Sequence, residues 1–301
     1  MNRTRLSPID IVGITLEVIV ILLLAGSIVF IAQNRMHSFS WSIPEMRGWW
    51  NGGEFSIGGR EKEENDQQIE GAFTEVEIRN IAGSIEVIGA GTGPVNVHSV
   101  KTAPSRASLD ALRVDVQKQG SRLVIEEKRD APPAGWRGSI DFTVAVPKSV
   151  TVVRARSVSG SVTVRDAGPG VDQWLNTVSG SISTNGSRNL HASTTSGSID
   201  FVFAGKSLDA HSISGSVEGT IDSIEKGGSV AMRTVSGSVQ VNAFQGLDAS
   251  LDLRSVSGAV SCGFPVSAME QRRSRLQGRV GQGSIPVEIQ TTSGQIRISQ
   301  K

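Results

Sequence analysis

The sequence predicts an all-β fold: a repetitive β-solenoid body, parallel β-helix-like, preceded by a single N-terminal transmembrane helix. Three observations predict it. A Ser-Gly pair recurs through the C-terminal half at near-constant intervals, the columns aligned on those glycines are uniform, and a 22-residue apolar run lies near the N-terminus. The 301 residues include 34 Gly, 10 Pro, 9 Phe, 5 Trp and no Tyr, a turn-rich composition that suits many short strands. The lone Cys262 excludes an intramolecular disulfide framework and a cysteine-ligated metal centre. A net charge of +1 gives no reason to expect a nucleic-acid partner.

Taken in chain order, residues 1–10 form a short tail and residues 11–32 the predicted span. Ile11–Ala32 is interrupted only by Thr15 and Glu17, and 22 residues exceed the ~20 needed to cross ~30 Å of hydrocarbon. Glu17 is a candidate partner contact inside the membrane; the competing reading is a carboxylate hydrated near the interface. The run ends in Phe30-Ile31-Ala32, where a cleavage site would want small residues, so an uncleaved single-pass anchor is expected. Arg3 and Arg5 precede it, against Arg35 and His37 after it, a small bias toward an inside N-terminus and an extracytoplasmic body, periplasmic or at the cell surface. Residues 33–70 read as a juxtamembrane linker. Trp41, Trp49 and Trp50 suit the headgroup level, and the charge run Glu61-Lys62-Glu63-Glu64-Asn65-Asp66 reads as a solvated spacer.

Residues 71–301 form the body, with an irregular opening part at 71–150 and the repeats at 151–301. The repeat glycines are Gly160, Gly180, Gly197, Gly215, Gly237, Gly258 and Gly294, at intervals of 20, 17, 18, 22, 21 and 36. With each glycine as position zero, −1 is always Ser, −2 always β-branched, −3 always Ser or Thr, −5 always apolar and +2 always Val or Ile. Strand side chains alternate faces with period two. The apolar set −7 and −5 is odd, whereas −2, +2 and often +4 are even, so the chain must bend between them. The expected corner is −4/−3, where a Ser or Thr hydroxyl satisfies backbone groups freed by the bend. The glycine would permit a bulge, a positive φ or close approach of the next coil. One such unit cannot bury its face alone, but stacked units can.

In the opening part, Phe73–Ile78 and Asp141–Val146 alternate, and Ala82-Gly83-Ser84-Ile85 echoes the repeat core. Leu112–Val116 and Leu123–Ile125 flank Gln119-Gly120 at hairpin spacing. The 36-residue interval hides an insertion. Ser267-Ala268-Met269-Glu270 fits a capping box and predicts a short helix over 267–277. Arg272, Arg273 and Arg275, with Arg279 beyond, are candidate partner contacts for an anionic lipid, a glycan or a protein; a solvated cap over the end of the array is the simpler reading.

With Gly83-Ser84-Ile85, Val144-Ala145-Val146-Pro147 and Ser157-Val-Ser-Gly-Ser-Val162 with its repeats, the stretch 73–301 resembles the bacterial "putative adhesin" domain-of-unknown-function family. The resemblance implies a repetitive all-β body tied to the cell envelope, with no catalytic residues to carry over.

The residues themselves offer no catalytic cluster. The −6 column reads Arg154, Trp174, His191, Asp209, Ala231, Asp252, Glu288 in sequence order, which keeps Asp209 and Asp252 apart. His191 and His211 fall at −6 and −4 of successive coils and do not stack. Cys262 takes an inward +4 place and reads as an inert thiol. Asn185-Gly186-Ser187 reads as a turn in preference to a glycosylation site. No cofactor, metal or enzymatic activity is expected. The expected function is that of a non-enzymatic protein anchored in the cytoplasmic membrane, presenting a solenoid surface to an envelope protein, a glycan or another copy of itself. The alternatives are an envelope-stress regulatory accessory and a cytoplasmic, membrane-tethered polymerising scaffold.

Overall fold

A computed structural model describes residues 60–130 and 137–301. The predicted span, Glu17 and the tryptophans at 41, 49 and 50 lie outside the described residues. Among the described residues no helix is long and apolar enough to cross a membrane.

The body is all-β and built from repeated strand pairings. Its opening part comprises β1 (Glu61–Ile69), β2 (Glu75–Ala82), β3 (Ile85–Gly89), β4 (Val95–Ala103), one short helix α1 (Arg106–Asp110), β5 (Leu112–Gln119), β6 (Arg122–Arg129) and β7 (Ser139–Val146). The repeats follow as β8 (Val152–Ser159), β9 (Val162–Arg165), β10 (Asp172–Ser179), β11 (Ile182–Asn185), β12 (Asn189–Ser196), β13 (Ile199–Ser214), β14 (Val217–Ser236) and β15 (Val239–Ala243). The chain closes with β16 (Ala249–Ser255), β17 (Val260–Cys262), β18 (Ser267–Arg272), β19 (Arg275–Val280), β20 (Ile285–Ser293) and β21 (Ile296–Gln300).

Two ladders run through these strands. The first stacks the segments before each glycine, in the order β2, β8, β10, β12, β13, β14, β20, β16, all parallel and in register. The second stacks the segments after each glycine: β3, β9, β11, β13, β14, β15, β21, β17. β13 and β14 are long enough to serve both, with register shifts near Phe203–Ser207 where they turn. Inward side chains at −7, −5, +2 and +4, such as Leu190, Ala192, Ile199 and Phe201, join one hydrophobic cluster. Each buried Val, Ile or Leu contributes roughly 1.5–3 kcal/mol.

The corner lies elsewhere than at −4/−3. The inward parity runs on through −3, where Thr177, Thr194, Ser212, Thr234 and Thr291 are all buried. Position −2 points outward: Val158, Val178, Val235 and Val256 are 52%, 42%, 43% and 78% exposed. The switch therefore falls within Ser-Gly-Ser itself. A Cβ on any repeat glycine would overlap the carbonyl oxygen of the glycine one coil back, so a side chain is excluded by close approach. That same carbonyl accepts the buried −3 hydroxyl of the later coil. Thr177 donates to Gly160 O at 2.9 Å, Thr194 to Gly180 O at 3.0 Å, Ser212 to Gly197 O at 3.0 Å and Thr291 to Gly237 O at 3.0 Å.

The coils are not stacked in sequence order. The last one, β20–β21, lies between the coil of Gly237 and that of Gly258: Gly294 abuts Gly237, and Gly258 abuts Gly294. The insertion that precedes it is the reason. Residues 267–280 form the antiparallel hairpin β18–β19, which pairs with the outer edge of β16. With that edge taken, the last coil occupies the slot on the other side. The predicted helix over 267–277 is thereby overturned. Leu276 and Val280, two of every other residue on β19, are buried, and the strand period wins over the capping-box signal.

At the other end, antiparallel strands close both ladders. β5 pairs with β6, which lies beside β2, and β1 pairs with β4, which lies beside β7. The charge run at 61–66 is thus a strand and not a spacer. Cross-strand pairs of Lys101 with Glu63 at 2.8 Å and His98 with Asp66 at 2.7 Å fit it to β4.

Candidate functional site

The register brings outward side chains of neighbouring coils into rows one strand spacing, ~4.8 Å, apart. On the second ladder, position +3 makes the row Ser183, Asp200, Glu218, Gln240, Arg297. Position +5 makes a second row, Asn185, Val202, Thr220, Asn242, Ser299. Together they floor an open groove of about 550 Å³. The inward +4 residues beneath it hold its shape: Phe201 is buried against Gly219, where a Cβ would overlap the ring. Among the described residues, Asp200, Glu218 and Arg297 have no ion-pair partner, so their charges face solvent. The groove offers carboxylates, amides, hydroxyls and the guanidinium groups of Arg165 and Arg297, a mixed set of donors and acceptors suited to a polyhydroxylated or polar partner.

The turn predicted at Asn185-Gly186 borders this groove. Gly186 takes φ +64°, and Asn185 Oδ1 accepts from the Asp166 amide at 2.7 Å.

The first ladder's outer face is different, because the acids of its −6 row are matched by basic or imidazole neighbours. Arg154 lies 4.1 Å above the Trp174 ring and reaches Glu75 at 2.7 Å. His191 Nδ1 lies 3.0 Å from Asp209 Oδ2, and this hydrogen bond holds the Asp209 carboxyl below the usual range against the opposing effect of burial. Burial pushes the His211 imidazole down, outweighing the pull of Asp209. The late threading of β20 makes the −6 row read Asp209, Ala231, Glu288, Asp252. Glu288 and Asp252 are therefore neighbours, contrary to the sequence-order expectation. Each is engaged: Arg233 reaches Glu288 at 3.4 Å and Arg254 reaches Asp252 at 2.7 Å.

The predicted basic residues lie on and beside the β18–β19 hairpin. Arg272 and Arg275 share Glu270 at 3.0 and 3.2 Å, while Arg273 and Arg279 carry no ion pair among the described residues. The seven repeat glycines line up in one column with Gly83 as its eighth member, and their role is the close approach described above. Cys262 is half-buried and its thiol is pushed up by burial, which keeps it protonated. No group of three or more His, Cys, Asp or Glu that could hold a metal is found among the described residues. Asp200 and Glu218 are neighbouring acids in one column, and their common +3 place in successive repeats is the sequence signal for them.

Residues 65–299 match the family model described as Toastrack DUF4097. No curated protein matches the chain. Among solved structures, a "putative cell adhesion protein" of Clostridium sporogenes ATCC 15579 is 12% identical, covers 80% of this chain and 100% of its own, and superposes with a TM-score of 0.37. A "putative adhesin" of Bacteroides fragilis NCTC 9343 is 14% identical over 80% of this chain and 98% of its own, with a TM-score of 0.45. A "putative lipid binding protein" of Parabacteroides distasonis ATCC 8503 is 12% identical over 79% of this chain and 96% of its own, with a TM-score of 0.37.

Proposed function

The chain belongs to the Toastrack DUF4097 family, and from that premise we propose that its body is a β-solenoid that binds a polar envelope ligand, a glycan or glycan-bearing protein, along the groove of the second ladder. In this reading the domain binds and does not catalyse. The observation that carries the binding reading is the contrast in charge pairing between the two outer faces. On the first ladder the acids of the −6 row are matched by basic neighbours, whereas the groove leaves Asp200, Glu218 and Arg297 without partners. Unmatched charges at fixed strand spacing are ready to recognise an outside group.

The apolar run Ile11–Ala32 supports a single-pass anchor in the cytoplasmic membrane, and the charge bias around it supports an extracytoplasmic body. In that arrangement the protein holds its ligand close to the membrane.

The test is binding of the purified full chain to a glycan array and to envelope extracts, alongside Asp200→Ala/Glu218→Ala and Arg297→Ala variants. Retention of a defined glycan or glycoprotein, weakened about ten-fold or more by these changes at unchanged melting temperature, is expected. No retained ligand, or a ligand indifferent to all three side chains, overturns the proposal.

A further inference from the structure

The two ends of the array are open strand edges of opposite charge. At the opening end, among the described residues β1 pairs only with β4, which leaves its other edge without a partner there. Residues 61–70 carry Glu61, Glu63, Glu64, Asp66 and Glu70 against Lys62, a net charge of −4. Glu63 is held by Lys101 and Arg106, and Asp66 by His98; Glu61, Glu64 and Glu70 have no ion pair among the described residues. At the closing end, among the described residues β18 likewise pairs only with β19, and its other edge has no partner there. Residues 267–280 carry Arg272, Arg273, Arg275 and Arg279 against Glu270, a net charge of +3. Here the unmatched charges are Arg273 in the hairpin turn and Arg279 on β19, while on β18 itself Arg272 and Glu270 pair with each other. Ten ladder steps separate β1 from the closing strand of its own ladder, about 48 Å at strand spacing, so the two edges cannot meet within one chain.

An exposed strand edge is a template for another strand, and charge is the usual device that blocks it. Here the device is selective. Two β1 edges repel each other and so do two β18 edges, but a β1 edge and a β18 edge attract. We propose that the acidic β1 edge of one copy pairs with the β18 edge of the basic closing hairpin of a second copy, joining the bodies head to tail. Such a contact uses two different patches and generates open rows of copies unless the rotation closes. This inference is independent of the groove: it concerns the ends of the array and not its face.

The test uses the full chain in a mild non-ionic detergent, followed by sedimentation velocity at about 0.01 M and about 1 M salt, where the Debye length falls from ~30 to ~3 Å. The expected result is a concentration-dependent series of multiples at low salt that collapses to the single-copy species at high salt. Two reversed variants carry the decision, Glu61→Lys/Glu64→Lys and Arg273→Glu/Arg279→Glu. All four positions are exposed, and unchanged melting temperatures verify folding. Each variant alone is expected to associate at least about ten-fold more weakly. An equimolar mixture of the two is expected to regain association, since each then offers the end the other lacks. A single-copy species at every concentration in low salt, undiminished association of the reversed variants, or a mixture no larger than its components each overturns the proposal. A salt-insensitive oligomer does so as well, because it joins the copies through some other surface.

Discussion

Inside the array and at its opening end, the backbone around the glycine column is satisfied by different chemistry. Within the array, each glycine carbonyl takes one hydroxyl from the −3 residue of the next coil, at 2.9–3.0 Å for the coils of Thr177, Thr194, Ser212, Thr234 and Thr291. At the opening end no earlier coil exists, and long polar side chains stand in for it. Glu127 Oε2 accepts from the Ile81 and Ala82 amides at 2.6 and 3.0 Å. Asp141 Oδ1 accepts from the Ser84 amide and hydroxyl, both at 2.7 Å. Asn80, in the −3 place, donates to the carbonyls of Gly83 and Ile140, both at 2.8 Å. A repeated unit can use one short side chain many times, whereas an end needs a bespoke set with longer reach and stronger, charge-assisted bonds.

Four experiments break or sharpen that contrast. The largest effect is expected from Gly197→Val in mid-array, where the new side chain must displace the Gly180 carbonyl. A loss of about 4 kcal/mol in denaturant unfolding is expected, against almost none for Gly91→Ala, whose Cβ meets open space. Next is Glu127→Ala at the opening end. It strands two amide donors and removes the carboxylate that Arg129 meets at 2.6 Å, and is expected to cost about 3 kcal/mol. Hydrogen exchange would show the damage concentrated at Ile81 and Ala82. Third is Thr194→Val, isosteric but without the hydroxyl. Leaving the Gly180 carbonyl unpaired is expected to cost about 1–2 kcal/mol, less than the loss at the end because only one neutral bond is involved.

The smallest effect is pH-dependent. Burial lowers the folded pKa of His211, beside Asp209, Arg233 and His191. The unfolded chain, titrating near ~6.5, then binds more protons than the folded one, so stability rises with pH across that window. Unfolding midpoints are expected to fall between pH 7.5 and pH 5.5, and to fall less in His211→Gln. The depressed Asp209 does not confuse the reading. Its contribution is lost only as pH drops through its folded value, below the ordinary carboxylate range.

Local periodicity revealed the repeat, the need for glycine and the use of a hydroxyl at −3. It misplaced the corner, because β-branched residues at −2 look like core when only parity is considered. In the structure they ride outside the bend, where Val256 is 78% exposed. The strand at 61–69 and the hairpin at 267–280 were hidden for one shared reason. A charged or cap-like segment becomes a strand when a ladder edge offers it partners, and that offer is made by residues far away in sequence. The groove was half legible. Asp200 and Glu218 sit at the same place in successive repeats, but their lack of basic partners emerges only from the fold. The −6 acids Glu288 and Asp252 became neighbours through a stacking order that no local pattern encodes.

That stacking order bears on how the protein is made. A ribosome releases the coil of Gly258 before the coil of Gly294, yet the earlier one can dock only onto the later. Residues 249–280 must therefore wait, undocked, until residues 285–300 emerge and wedge into place. The array does not finish by winding outward from a growing end. Its final stretch acts as a keystone, so loss of the chain after residue 284 would unseat the hairpin and the sixth coil together, although neither had been touched.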